Sequence, residues 1–151
     1  MIEIQILLAS GSPRRRQLLS LTGWPFTVAP AEVDETPHPD EQPQDYTLRL
    51  AKAKAARLQE MGVSQPFILA ADTTVADGDT LLGKPADSTE ARRMLRRLRG
   101  RTHQVFTALA VLQMASGRLE TDLCASQVPM RDYSDEEIEA YIATGDSLDK
   151  A

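Results

Sequence analysis

The sequence predicts a mixed α/β fold: an elongated central mixed sheet flanked by helices. Three observations carry this. Apolar β-type runs alternate with helical patterns, but not in strict strand–helix–strand order. Glycines and prolines fall between the runs. A chain of 151 residues with 42% hydrophobic residues fits one domain with its own core, and residues 1–151 are expected to form one.

In order, residues 2–9 (IEIQILLA) read as a buried strand bounded by Ser-Gly-Ser. A helix follows from Pro13 to Leu21, with Ser12 as N-cap, Pro at the first helical position and Gly23 past the end. Residues 25–30 suggest another strand, and the acidic, proline-rich stretch from Pro30 to Pro43 a loop. Leu48, Ala51, Ala55 and Leu58 recur at helical spacing, predicting a helix from Gln44 to Met61. Phe67–Asp72 reads as a strand ending in its acid, and Asp77-Gly78-Asp79 as a hairpin turn between TTVA and TLL. Asp87 and Glu90 spell a capping box for a helix to Arg99. Strands at 103–114 and 118–128 flank a Ser116-Gly117 turn, and a helix capped by Ser134 and Glu137 stops at Gly145.

The net charge of −5 argues against binding a nucleic acid polymer, which needs a broad basic surface. Basic residues are instead clustered at 14–16 and 92–101, which suits a small anionic ligand better. One cysteine, Cys124, permits no intrachain disulfide; it is expected as a buried strand residue. The first ten residues lack a basic n-region and are too short to span a bilayer, so a cytoplasmic protein with no membrane partner is expected.

Four places can carry chemistry. In Ser10-Gly11-Ser12-Pro13-Arg14-Arg15 a strand feeds a turn and a helix start, whose free N–H groups suit a phosphate. Arginine adds planar, bidentate recognition of phosphate oxygens. The same residues also spell an ordinary capped helix with a solvated basic turn, the reading that the pattern alone favours. Asp72, after an apolar strand, can hold a divalent cation or accept a proton from water, or merely cap a turn. Lys84, between Gly83 and Pro85, can aim a point charge at phosphate, although surface lysines are common. Asp34-Glu35 can join Asp72 as ligands, or stay solvated. Lys54 defaults to a stem over the core with its charge in water. His38, His103 and the arginines of 92–99 read as structural, the arginines as a solvated basic face.

These pieces resemble the Maf family. LLASGSPRR at 7–15 is similar to its Ser-x-Ser-x-Arg-Arg signature. Val33-Asp34-Glu35, Arg49-Leu50-Ala51 with Lys54-Ala55, Ala71-Asp72-Thr73, Gly83-Lys84-Pro85, Gly100–Val105 and Leu148-Asp149-Lys150-Ala151 follow in the family's order. The resemblance implies a fold related to inosine triphosphate pyrophosphatases and an enzyme that cuts a nucleoside triphosphate into monophosphate and pyrophosphate. It implies Asp72 as the group that activates water, and Glu35 with Asp72 as ligands of Mg²⁺ or Mn²⁺. Arg15, Lys54 and Lys84 would hold the triphosphate, and Ser10 and Ser12 would line it. Arg14 and Thr73 resemble the members acting on dTTP and UTP rather than on 7-methyl-GTP. A homodimer is also implied, as is a further C-terminal segment, so the chain is expected to be truncated. The rivals are a non-catalytic nucleotide-binding or septum-regulating protein, and an inosine or xanthosine triphosphate pyrophosphatase.

Overall fold

The structure, a computed structural model, describes residues 4–148. The element order is β1 (Ile6–Ala9), α1 (Pro13–Ser20), β2 (Phe26–Val28), α2 (Pro43–Glu60), β3 (Phe67–Asp77), β4 (Thr80–Leu82), α3 (Ser88–Leu98), β5 (Thr102–Gln113), β6 (Leu119–Pro129) and α4 (Asp135–Ala143), then a 3₁₀ turn at Asp146–Leu148. One six-stranded sheet runs in the order β2-β1-β3-β5-β6, with β4 paired to β3. β1 lies parallel to both β2 and β3, and β4 antiparallel to β3, so the predicted mixed sheet is what forms. The chain divides into two compact units. The first comprises the chain up to Asp72 plus Thr107–Cys124, and the second Thr73–Phe106 plus the chain from Ala125 onward.

In the first unit all four residues of β1 are buried, as a parallel strand covered on both faces requires. Alternation then sorts its side chains. Leu7 and Ala9 join Ile68 and Ala70 of β3, Ala108, Ala110 and Leu112 of β5, and Ala51, Ala55 and Leu58 of α2 in one core cluster. Ile6 and Leu8 turn the other way, toward Leu19 of α1, with Phe26, Phe67 and Leu69 alongside. The alanines on both sides of the larger cluster let α2 pack close to the sheet. Pro43 occupies the first turn of α2, where its missing N–H costs nothing.

β3 corrects one boundary. The expected strand end at Asp72 does not exist; the strand continues through Thr73, Thr74 and Val75 to Asp77. Those three residues are β-branched and prolong the extended backbone. Gly78, at φ 61, then makes the turn into β4.

In the second unit, α3 begins at an Asp87 cap that accepts from the Glu90 N–H at 2.8 Å. The expected reciprocal box is incomplete, because the Glu90 carboxylate accepts instead from the Ala86 N–H, one residue earlier. The full box does form at α4, between Ser134 and Glu137. The arginine face of α3 is not simply solvated. Arg97 and Arg101 both reach the buried Asp77 carboxylate, at 2.8 and 3.0 Å, while Arg92 pairs with Glu139 and Arg99 with Asp135. The acidic α4 supplies counter-charges that no local spacing in α3 announces. Cys124 is also corrected: it is exposed, because β6 is an edge strand with no fully buried residue. Among the described residues no helix is long and apolar enough to cross a membrane.

Candidate functional site

Two periodicities bring the central pair together. Along β3, Asp72 has the same parity as Ile68 and Ala70, so its carboxylate points to the α2 side of the sheet. Along α2, Lys54 lies three residues after Ala51 and four before Leu58, on the face that packs against that sheet. The side chains therefore meet: Lys54 Nζ donates to Asp72 Oδ1 at 2.7 Å, with the side chains only 12% and 10% exposed. The default reading of Lys54, a charge in water, is thus overturned.

Two further charges converge on this pair. Glu35 Oε1, from the proline-rich loop, lies 3.5 Å from Lys54 Nζ. Arg15, in the first turn of α1, donates from Nη1 to the Ala71 carbonyl at 3.0 Å, one residue before Asp72. Burial pulls the Arg15 guanidinium below its usual value; the Asp72 carboxylate opposes that shift, neighbouring Arg14 adds to it and Glu35 resists it. Four sequence-predicted residues, Arg15, Glu35, Lys54 and Asp72, therefore form one electrostatic cluster.

Ser10 and Ser12 shape the adjoining turn. The Ser10 hydroxyl oxygen, in a buried residue, accepts from the Ser12 N–H at 3.1 Å, and Ser12 Oγ caps α1 by accepting from the Arg15 N–H at 3.5 Å. Both hydroxyls act on backbone N–H groups. Arg14 is exposed beside Arg15. A cleft of about 440 Å³ adjoins this turn, lined by Gly11, Ser12, Arg16, Ser20, Phe26 and Val28; it does not contain Asp72 or Lys54. Thr73 and Lys84 belong to the second unit, where Thr73 is half-buried in β3 and Lys84 exposed between β4 and α3. The C-terminal part of the Leu148–Ala151 motif lies outside the described residues.

Sequence reasoning passed over Tyr46, Arg49 and Glu41 as site residues. Tyr46 OH donates to the Glu35 carbonyl at 2.7 Å; burial, then the Glu35 and Asp72 charges, raise its phenol above the ordinary value. The signal was available, since Tyr46 precedes Lys54 by eight residues, two turns along one helix face.

No group of three or more His, Cys, Asp and Glu side chains suited to a metal gathers among the described residues. Glu35 and Asp72 nonetheless offer hard oxygen donors converging on one cation, the Lys54 ammonium. Two carboxylates completed by phosphate oxygens and water are a donor set that suits Mg²⁺ or Mn²⁺, so the residues present fit such an ion.

Comparison with known proteins gives consistent results. A family model described as Maf-like protein matches residues 5–151. A protein named dTTP/UTP pyrophosphatase from Pasteurella multocida (strain Pm70) is 43% identical over 159 residues, covering 100% of this chain and 78% of the relative. One of the same name from Myxococcus xanthus (strain DK1622) is 46% identical over 146 residues, covering 97% and 72%. Among solved structures, the Staphylococcus aureus Ham1 protein aligns with a TM-score of 0.55 at 13% identity, covering 85% of this chain and 72% of that one. Protein VC0702 from Vibrio cholerae aligns at 0.51 and 9% identity, covering 95% and 79%. At such low identity these two structures speak to the fold alone.

Proposed function

The chain belongs to the Maf-like protein family, and from that premise we propose that it hydrolyses dTTP and UTP to the nucleoside monophosphate and pyrophosphate. One structural observation carries the chemistry: a buried carboxylate, Asp72, held by Lys54 beside Arg15 and Glu35. Relatives named dTTP/UTP pyrophosphatase, 43–46% identical to it, support the substrate class.

Hydrolysis of a polyphosphate needs cations to hold charge and an oriented water, with little covalent work for the protein. Arg15 offers a planar fork to non-bridging oxygens, and Lys54 a point charge. Asp72 accepts the proton of the water that attacks phosphorus. The new phosphorus–oxygen bond forms on the nucleoside side, the bond to the bridging oxygen breaks, and pyrophosphate leaves. Lys54 fixes the Asp72 carboxylate by donating to Oδ1. Glu35 and Asp72 would hold Mg²⁺ or Mn²⁺, which when bound neutralises phosphate charge. The resemblance also implies a phosphate-holding role for Lys84 and a part in the pyrimidine preference for Arg14 and for Thr73. A septum regulator that only binds nucleotide has no use for a proton-accepting carboxylate at this place. A cytoplasmic location, expected from the sequence, and a homodimer, implied by the resemblance, belong to the same reading.

The test is product analysis in ¹⁸O-water with Mg²⁺ or Mn²⁺ and a panel of nucleoside triphosphates. Pyrophosphate plus labelled monophosphate from dTTP and UTP is the expected outcome. Orthophosphate with a diphosphate product, or preference for 7-methyl-GTP, would overturn it.

A further inference from the structure

We propose that Glu41, Arg49 and Tyr46 form a clamp that fixes the backbone around Glu35, making them positioning residues for the Glu35 carboxylate. This rests on the reading above, in which Glu35 works beside Lys54 and Asp72.

Residues 29–42 form no helix or strand, so the backbone carrying Glu35 gets no position from regular hydrogen bonding. Helix α2 supplies it instead. Tyr46 OH donates to the Glu35 carbonyl at 2.7 Å, and Arg49 Nη2 to the Thr36 carbonyl at 3.1 Å. Two consecutive carbonyls are thus held by side chains one helical turn apart. The Arg49 guanidinium also grips Glu41 with both arms, Nε to Oε1 at 2.6 Å and Nη2 to Oε2 at 2.9 Å, and lies 5.5 Å from the Tyr46 ring centroid. Glu41 in turn accepts from the His38 N–H at 3.0 Å, and the turn between them puts Asp40 at φ 58.

The loop is therefore pinned at 35, 36 and 38–41 to the helix that also presents Lys54. One rigid element sets both partners of the Glu35–Lys54 contact. A lysine at 49 would keep the charge but lose the fork. The Arg49 hydrogen bond lowers the Glu41 carboxyl to about 2, so the clamp stays charged well into the acid range.

The experiment compares Arg49→Lys, Glu41→Gln and Tyr46→Phe, each with native Glu35 and with Glu35→Gln, in the full chain. Amide hydrogen exchange of the 32–42 segment is measured without nucleotide or metal. Pyrophosphate release from UTP is measured at enzyme concentrations that resolve the weakest variant. The clamp predicts faster exchange in 32–42 with β1 and the Phe67–Asp72 part of β3 unchanged. It also predicts a loss of about 10- to 100-fold in kcat, the usual result of removing a partner that orients a working carboxylate, with KM moving less. In the Glu35→Gln background that loss should vanish. Unchanged exchange, or an equal kcat loss in both backgrounds, would overturn the clamp. If the native chain releases no pyrophosphate from any triphosphate, the functional reading fails; exchange alone then decides whether the clamp exists.

Discussion

Replacing Lys54 by Met tests whether the Lys54–Asp72 pair is a true buried ion pair. At 2.7 Å and an effective dielectric near 20, the two charges attract by about 6 kcal/mol. Desolvation cancels much of this, because both side chains are about nine-tenths buried. The cost of removing one partner is larger than the net worth of the pair, since it strands the other charge; such losses run to about 3–5 kcal/mol. Arg15 is still attracted to Asp72, which places the expected loss near the lower end, about 3 kcal/mol. For a chain of this size that lowers Tm by about 6–12 °C. Met keeps the unbranched stem, so packing along α2 changes little. The assay is thermal unfolding followed by circular dichroism, for Lys54→Met and for Lys54→Met with Asp72→Asn. Most of the lost stability should return in the double variant, where the buried carboxylate loses its charge together with its partner. If the double variant is as unstable as the single one, Lys54 stabilises by packing, and the electrostatic account of the site is wrong.

Ile68→Ala empties a fully buried position between β3 and α2 and should cost about 2–5 kcal/mol in urea unfolding; a loss under about 1 kcal/mol would mean the core collapses around it. Ser134→Ala removes half of the α4 capping box and should cost about 0.5–2 kcal/mol, seen as a lower urea midpoint at unchanged slope. His103 is buried with Nδ1 unpartnered; burial lowers its imidazole below the ordinary 6.5, against the pull of Asp77. As pH falls through about 6.5 the unfolded chain gains a proton that the folded one refuses, so this contribution to stability is lost below that value. The urea midpoint should drop between about pH 7.5 and 5.5, and less so in His103→Gln; an equal drop in both would assign it to other groups.

The mixed sheet and its helices were legible because they rest on local signals: caps such as Ser12 and Ser134, turns such as Gly78, and the Ala51–Leu58 spacing on α2. Asp72 and Lys54 were legible as residue types but not as a pair. Their contact depends on register between β3 and α2, although the parity shared with Ile68 and Ala70 already gave Asp72 its side of the sheet. Pairings across long separations were hidden for the same reason. Arg97 with Asp77, Arg92 with Glu139 and Arg49 with Glu41 join elements whose mutual placement no single segment encodes. Cys124 was misplaced because an apolar neighbour, Leu123, suggests burial, whereas burial depends on whether another element covers the strand.

The most direct test of the central claim is steady-state pyrophosphate release from dTTP and UTP by the native chain and by Asp72→Asn, which keeps the side chain's shape and removes its charge. The native protein should release pyrophosphate and the variant should lose turnover, with its fold retained by circular dichroism. Turnover in Asp72→Asn close to that of the native chain would contradict it, and would move the proton-accepting role away from the Lys54–Asp72 pair.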